Sequence, residues 1–177
     1  MKQLHYKTKM LTVTAVLMAM TIAMCSFSIP VPGGHMYLND IIIVTAAILL
    51  EPSYAFVAGG IGAFLGDVIF YPTPMFVSLA VHGLQCVVIS LCTRHLFGGK
   101  KRVPASVVGT VLGWIITFVG YTLGRAFIYS TPALAIAKLP FQILQTFVGS
   151  TAALLLCWKC GIVKLYDRII GSDRYNY

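Results

Sequence analysis

Long apolar runs, divided by short clusters of proline, glycine and charged residues, make up most of this 177-residue chain. Proline and glycine punctuate helices, and a helix needs about 20 largely apolar residues to cross a bilayer. The dividing clusters are Pro30-Val-Pro32-Gly33-Gly34, Glu51-Pro52, Tyr71-Pro72, Phe97-Gly98-Gly99, Ser130-Thr-Pro132 and Lys138-Leu-Pro140. They predict six transmembrane helices at about 10–29, 39–50, 54–71, 75–96, 104–129 and 138–158.

The composition excludes an ordinary soluble domain. Charged residues are 10% of the chain and hydrophobic residues 58%, whereas a soluble domain has about 25% charged residues. We therefore predict an all-α polytopic membrane protein in which residues 1–177 form a single transmembrane domain. The second helix is short, and we expect it to be tilted or shielded by its neighbours. A Walker A loop is missing from the sequence, and the helices leave no room for a catalytic domain, so we do not expect an enzyme.

The basic residues are unevenly distributed along the chain. The net charge of +8 does not indicate nucleic-acid binding, because the basic residues flank apolar runs and do not form one face with interleaved aromatics. Short loops rich in Lys and Arg face the cytoplasm. This rule predicts a cell-membrane protein with both termini cytoplasmic, since the inner segments then hold Lys2, Lys7, Lys9, Arg94, Lys100, Lys101, Arg102, Lys159, Lys164, Arg168 and Arg174.

Polar residues recur at helical spacing in the parts of the helices that are predicted to lie in the outer half of the membrane. Residues three or four apart share one face of a helix, and ionisable groups inside a membrane span mark functional sites by default. The fourth, fifth and sixth helices each present such a stripe, and the first loop adds two polar residues. The candidate binding residues are His35, Asn39, His82, Gln85, Tyr121, Arg125, Lys138, Gln142 and Gln145.

These residues also have structural interpretations. Arg125 could form an ion pair with Asp67, and Lys138 could extend to the outer headgroups. Tyr71, Tyr121 and Tyr129 could belong to the aromatic belt, and His82 could bond to a neighbouring helix backbone. The histidines share neither a face nor a metal-ligand spacing, so we expect no metal and no cofactor.

Small residues form a second pattern. Ala15, Ala19 and Ala23 repeat at four-residue spacing on the first helix, and such a stripe lets another helix approach closely. It is explained either by packing inside the bundle or by docking of a partner protein. Glycines at 59, 60, 62 and 66 are better explained by packing inside the bundle.

The chain resembles an S component of an energy-coupling factor (ECF) transporter. The resemblance covers nearly all of it and is carried by two segments, Pro32-Gly-Gly-His-Met-Tyr-Leu-Asn-Asp40 and Gly59-Gly-Ile-Gly-Ala-Phe-Leu-Gly-Asp67, the second followed by Tyr71-Pro72. The stripe of Ala15, Ala19 and Ala23 is similar to the motif by which these subunits dock on their transmembrane partner.

The resemblance implies a six-helix bundle that binds one vitamin or vitamin precursor from the outer side. Its implied partners are a transmembrane coupling (T) subunit and two ATP-binding-cassette ATPases. His35 and Asn39 would belong to a gating loop. The other candidates would contact the ligand inside the helix bundle, which the lipid bilayer surrounds.

The branch that handles hydroxymethylpyrimidine is the most similar, with pyridoxine a close second. Trp114 and Trp158 lie toward the inner ends of their helices, which makes a large stacked flavin less attractive, although riboflavin stays an alternative. A second alternative is a stand-alone proton-coupled carrier that uses Asp40, Asp67 or His82 for protonation. A scaffolding protein would leave the polar stripes without a shared purpose.

Overall fold

The computed structural model describes residues 2–32 and 34–170, with side chains from Leu4 onward. Two residues used in the sequence analysis lie outside the described residues. They are Gly33, from the first segment that carries the family resemblance, and Arg174, from the count of basic residues. The first helix, α1, spans Lys2–Cys25. A β-hairpin follows, with β1 at Ser28–Val31 and β2 at Gly34–Tyr37 paired antiparallel so that Ser28 lies opposite Tyr37.

The rest of the described chain is helical. Helix α2 spans Asp40–Leu49, α3 spans Pro52–Phe70, α5 spans Arg102–Tyr129 and α6 spans Pro132–Trp158. Helix α4 spans Met75–His95, and a terminal helix, α7, spans Ile162–Ile170. Wide π-helical turns interrupt α3 at Phe56–Ile61 and end α5 at Arg125–Tyr129.

The architecture is the predicted bundle of membrane helices. Five helices, α1 and α3 to α6, are long and apolar enough to cross a membrane, and α2 is a shorter apolar helix. Nearly every residue of α2 is buried, because it packs among α1, α4 and α6. The bundle interior therefore shields α2, which explains its short length. Exposed Leu, Val, Ile and Phe side chains cover α1 and α4 to α6, as expected of surfaces that face lipid.

The predicted bounds of two helices are wrong. The first helix begins at Lys2 and ends at Cys25, while the apolar residues after it form β1. Pro30 explains this ending, because proline removes a backbone donor and clashes with the preceding helical turn. The sixth helix begins at Pro132, where the Thr131 side chain accepts a hydrogen bond from the Leu134 amide at 3.4 Å. That helix continues through Pro140.

Glycines allow the closest helix contacts. A Cβ added at Gly60 of α3 would lie 2.8 Å from the Cα of Gly83 on α4, which is closer than real Cβ atoms come. A Cβ at Gly149 of α6 would lie 2.5 Å from the Cβ of Asp40. These two contacts hold α3 against α4 and the start of α2 against α6. By contrast, Ala15, Ala19 and Ala23 on α1 are exposed.

Candidate functional site

A cavity lies at the end of the bundle that carries the β-hairpin, which we call the hairpin end. It is enclosed by the hairpin and by α3, α4, α5 and α6. The lining residues are Gly34, His35, Tyr37, Asn39, Ala63, Asp67, Tyr71, Pro74, Ser78, His82, Thr117, Tyr121, Arg125, Tyr129, Lys138, Gln142, Gln145 and Thr146. Polar and aromatic side chains thus dominate a site that is embedded among apolar helices.

The hairpin covers the cavity and is held to α6 by two side chains. Lys138 Nζ donates a hydrogen bond to the backbone carbonyl of His35. Gln145 Oε1 accepts a hydrogen bond from the Tyr37 amide at 3.1 Å, and Gln145 Nε2 donates to Asp40 Oδ2 at 2.9 Å. The side chain of Gln145 therefore links the hairpin, α6 and the first residue of α2.

His82 and Gln142 lie on the deep side of the cavity. His82 Nδ1 shares a hydrogen bond at 2.8 Å with Oε1 of Gln85, which lies behind it. Gln142 Nε2 donates to the Thr117 carbonyl at 3.1 Å and to the Phe118 carbonyl at 3.3 Å. The backbone of α5 therefore fixes the orientation of the Gln142 amide.

Arg125 lies at the π-helical end of α5 and is only 6% exposed. Its Nη1 donates to Gln142 Oε1 at 3.1 Å, and its guanidinium lies 5.7 Å from the centroid of the Tyr129 ring. Within the described ranges, no ion pair joins Arg125 to Asp67. Their pairing, one of the structural interpretations above, is wrong, and Lys138 points to the hairpin from a buried position.

Aromatic rings form two clusters around the cavity. The His82 and Tyr121 rings meet edge to face with centroids 5.4 Å apart, and the Tyr121 hydroxyl donates to Ser78 Oγ at 2.6 Å. At the hairpin, the rings of His35 and Tyr71 meet edge to face with centroids 4.6 Å apart. Aromatic faces beside fixed hydrogen-bonding groups suit a flat heteroaromatic ligand, whose face stacks while its edge is bonded.

Several buried polar atoms of the lining residues have no hydrogen-bond partner in the described part of the chain. They are His35 Nδ1, Tyr37 Oη, Asn39 Oδ1, Asp67 Oδ2, Arg125 Nε, Tyr129 Oη and Thr146 Oγ1. Buried polar groups are nearly always paired, so these atoms leave hydrogen-bonding capacity around the cavity that a bound ligand could use. Partial burial, followed by the nearby Asp67 carboxylate, raises the pKa of Tyr37 above its ordinary value, so the hydroxyl stays protonated.

The free space in the cavity is about 40 Å³. This is enough for a few water molecules but well below the roughly 150 Å³ of a cavity that holds a single apolar ring. A ring-sized ligand therefore requires the lining to move apart, and the hairpin, whose strands are half-buried or exposed, is the covering element that could move.

The structure brings eight of the nine candidate binding residues to this cavity. The exception is Gln85, which lies below His82 and does not line it. The candidates omitted Asp67, Tyr71 and Tyr129, although their position and chemistry had pointed to the same end of the bundle. Ser78, Thr117 and Thr146 were missed because nothing in the sequence separates them from ordinary hydroxyl-bearing residues of membrane helices. Tyr37 was missed because it belongs to the hairpin, which the sequence did not predict. In the described residues no cluster of His, Cys, Asp and Glu is arranged to hold a metal ion.

The fold and the cavity together define a polytopic membrane protein with a covered polar site near one end of its helices. A family model described as "ECF-type riboflavin transporter, S component" matches residues 5–161. The chain therefore belongs to the family of ECF transporter S components, the substrate-binding subunits of these transporters.

Two further likenesses accompany the family match. The chain is similar in fold to the solved structure titled "Structure and mechanism of the S component of a bacterial ECF transporter", with a TM-score of 0.68 and 15% identity. That similarity covers 88% of this chain and 97% of the other. The chain is also 32% identical over 133 residues to a Pyrococcus woesei protein described as "Uncharacterized protein in gap 3'region", covering 74% of this chain and 86% of the relative.

Proposed function

We propose that the cavity binds a flat heteroaromatic vitamin or vitamin precursor at the hairpin end, and that the bound ligand is then carried inward with the help of ATP-hydrolysing partners. The observation that carries this proposal is the concentration of unpartnered buried polar atoms around one cavity lined by His, Tyr and amide side chains. The ligand would complete these hydrogen bonds, and the rings would enclose its faces.

Hydroxymethylpyrimidine is the first candidate ligand and pyridoxine the second. A single substituted ring requires the smaller expansion of a cavity of about 40 Å³, and neither tryptophan is among the lining residues. The polar edge of such a ring would meet Gln142, Arg125 and Lys138. These three side chains converge from α5 and α6.

Riboflavin is the alternative ligand, and the description of the matching family supports it. Its three fused rings would require the hairpin to move farther. The edge of its uracil-like ring would use the same donors and acceptors as a pyrimidine. A panel of ligands separates these candidates.

ECF S components work in general with a T component and ATPases, and we propose such partners for this chain. The exposed stripe of Ala15, Ala19 and Ala23 on α1 is the proposed docking face. Small side chains there allow close approach of a partner helix. The distribution of basic residues supports an orientation with the hairpin end outside the cell.

Isothermal titration tests the ligand proposal. Purified, ligand-stripped protein in detergent is titrated with hydroxymethylpyrimidine, pyridoxine, thiamine and riboflavin, without partner subunits. We expect one-to-one binding of one compound, and we expect Gln142→Ala to weaken it. The control is Thr110→Val, which changes a buried residue of α5 away from the cavity. Folded protein that binds none of the four would contradict the proposed ligand class.

A further inference from the structure

Asp67 is the carboxylate among the lining residues of the cavity. It lies near the end of α3 and is 5% exposed. Its Oδ2 has no hydrogen-bond partner among the described residues. Asp40 is the natural comparison, because it too is buried and has one carboxylate oxygen, Oδ1, without a partner there, but it does not line the cavity.

Two cations also line the cavity. Arg125 belongs to α5 and Lys138 to α6, and neither forms an ion pair within the described part of the chain. Asp67, on α3, is the lining carboxylate, so α3 presents an acceptor to the cavity while α5 and α6 present cationic donors.

A carboxylate oxygen accepts hydrogen bonds. Asp67 Oδ2 is buried without a partner among the described residues, which is costly, and a ligand that presents an N–H group to it removes this cost. The basic side chains of α5 and α6 would then meet an acceptor on the ligand, such as a ring nitrogen, a carbonyl or a hydroxyl oxygen. The cavity is thus polarised from α3 to α5 and α6.

From this arrangement we propose that Asp67 determines ligand specificity by accepting a hydrogen bond from a ring N–H or an exocyclic amino group at one edge of the heteroaromatic ligand. This inference rests on the proposed function, since it assigns chemistry to the same cavity. It predicts that the preferred ligand is an amino- or imide-bearing ring, and that rings without such a donor bind more weakly.

The test compares Asp67→Asn with the wild type and with Asp40→Asn. Asparagine keeps the shape of aspartate but removes its charge, as protonation would. The probes are hydroxymethylpyrimidine with its 4-dimethylamino analogue, and riboflavin with 3-methylriboflavin, because each methylated compound lacks the relevant N–H. Hydrogen bonds to charged groups contribute enough that we expect Asp67→Asn to weaken binding of the N–H compound about 10- to 100-fold.

The methylated compound should bind the wild type weakly, and Asp67→Asn should lose most of the discrimination between the two members of a pair. An affinity of Asp67→Asn for the N–H compound that stays within about threefold of the wild-type value would overturn the inference. So would an equal loss of affinity in Asp40→Asn, because the effect would then come from the loss of any buried carboxylate and not from the one that lines the cavity.

The test separates failure of this inference from failure of the proposed ligand. Wild-type protein that binds the N–H compound while Asp67→Asn binds it equally well overturns the inference alone. Folded wild-type protein that binds neither probe pair overturns the inference together with the proposed ligand list.

Discussion

Replacing Gln145 by methionine tests whether the hairpin covers the ligand. Gln145 Oε1 accepts a hydrogen bond from the Tyr37 amide at 3.1 Å, and Gln145 Nε2 donates one to Asp40 Oδ2 at 2.9 Å. Methionine has nearly the same length and makes neither bond. The first bond holds the hairpin and the second holds α2, so the substitution has two separable consequences.

The magnitudes follow from the types of bond. A neutral hydrogen bond contributes about 1 kcal/mol, and a bond to a charged group about 1.5–3 kcal/mol. Loss of the Tyr37 bond should raise the ligand dissociation rate about fivefold, because about 1.4 kcal/mol corresponds to a factor of ten. Loss of the Asp40 bond should lower the free energy of unfolding by about 1.5–3 kcal/mol.

The assay is displacement of a labelled bound ligand by excess unlabelled ligand in detergent, followed over time. Ser150→Ala is the matched control, because Ser150 is a buried residue of α6 that does not line the cavity. We expect the control to leave the dissociation rate unchanged. An unchanged rate in Gln145→Met, together with the expected loss of stability, would show that the hairpin does not retain the ligand.

Three further predictions concern the site, the bundle and the docking face. Gln142→Ala should weaken ligand binding about tenfold or more, because Arg125 loses its hydrogen-bond acceptor; titration with unchanged affinity would remove Gln142 from the site. Gly60→Ala should destabilise the fold by about 1–3 kcal/mol, because the new Cβ meets Gly83 at 2.8 Å; an unchanged melting temperature would contradict this packing. Ala19→Leu should preserve ligand binding in detergent but reduce co-purification with the T subunit and ATPases, and normal assembly would refute the docking face.

The helices and polar stripes were predictable because their signals are local. Apolar runs and proline or glycine clusters locate helices, and four-residue spacing places Tyr121 and Arg125 on one face. The predicted helix boundaries were less accurate where a proline, taken as a sign that a helix begins or ends, lies inside a helix. Pro140 lies inside α6, because a proline in a long membrane helix can be tolerated when neighbouring groups satisfy the backbone.

Long-range contacts explain what the sequence did not reveal. His82 and Gln85 share a face, but three residues of helix place Gln85 about 4.5 Å deeper, so it supports His82 from below the cavity. The β-hairpin follows α1 without a polar break, and its pairing depends on residues on both sides of a turn. The distinct environments of Asp40 and Asp67 depend on α6, which lies far away in the sequence.

We infer that this chain binds a vitamin-like ligand but depends on partners to move it. The test is uptake into reconstituted vesicles, with the chain alone or with its T subunit and ATPases, with and without ATP and an uncoupler. We expect binding without accumulation by the chain alone, and ATP-dependent, uncoupler-resistant accumulation by the assembly. Accumulation by the chain alone that collapses with the uncoupler would contradict it and establish a proton-coupled carrier.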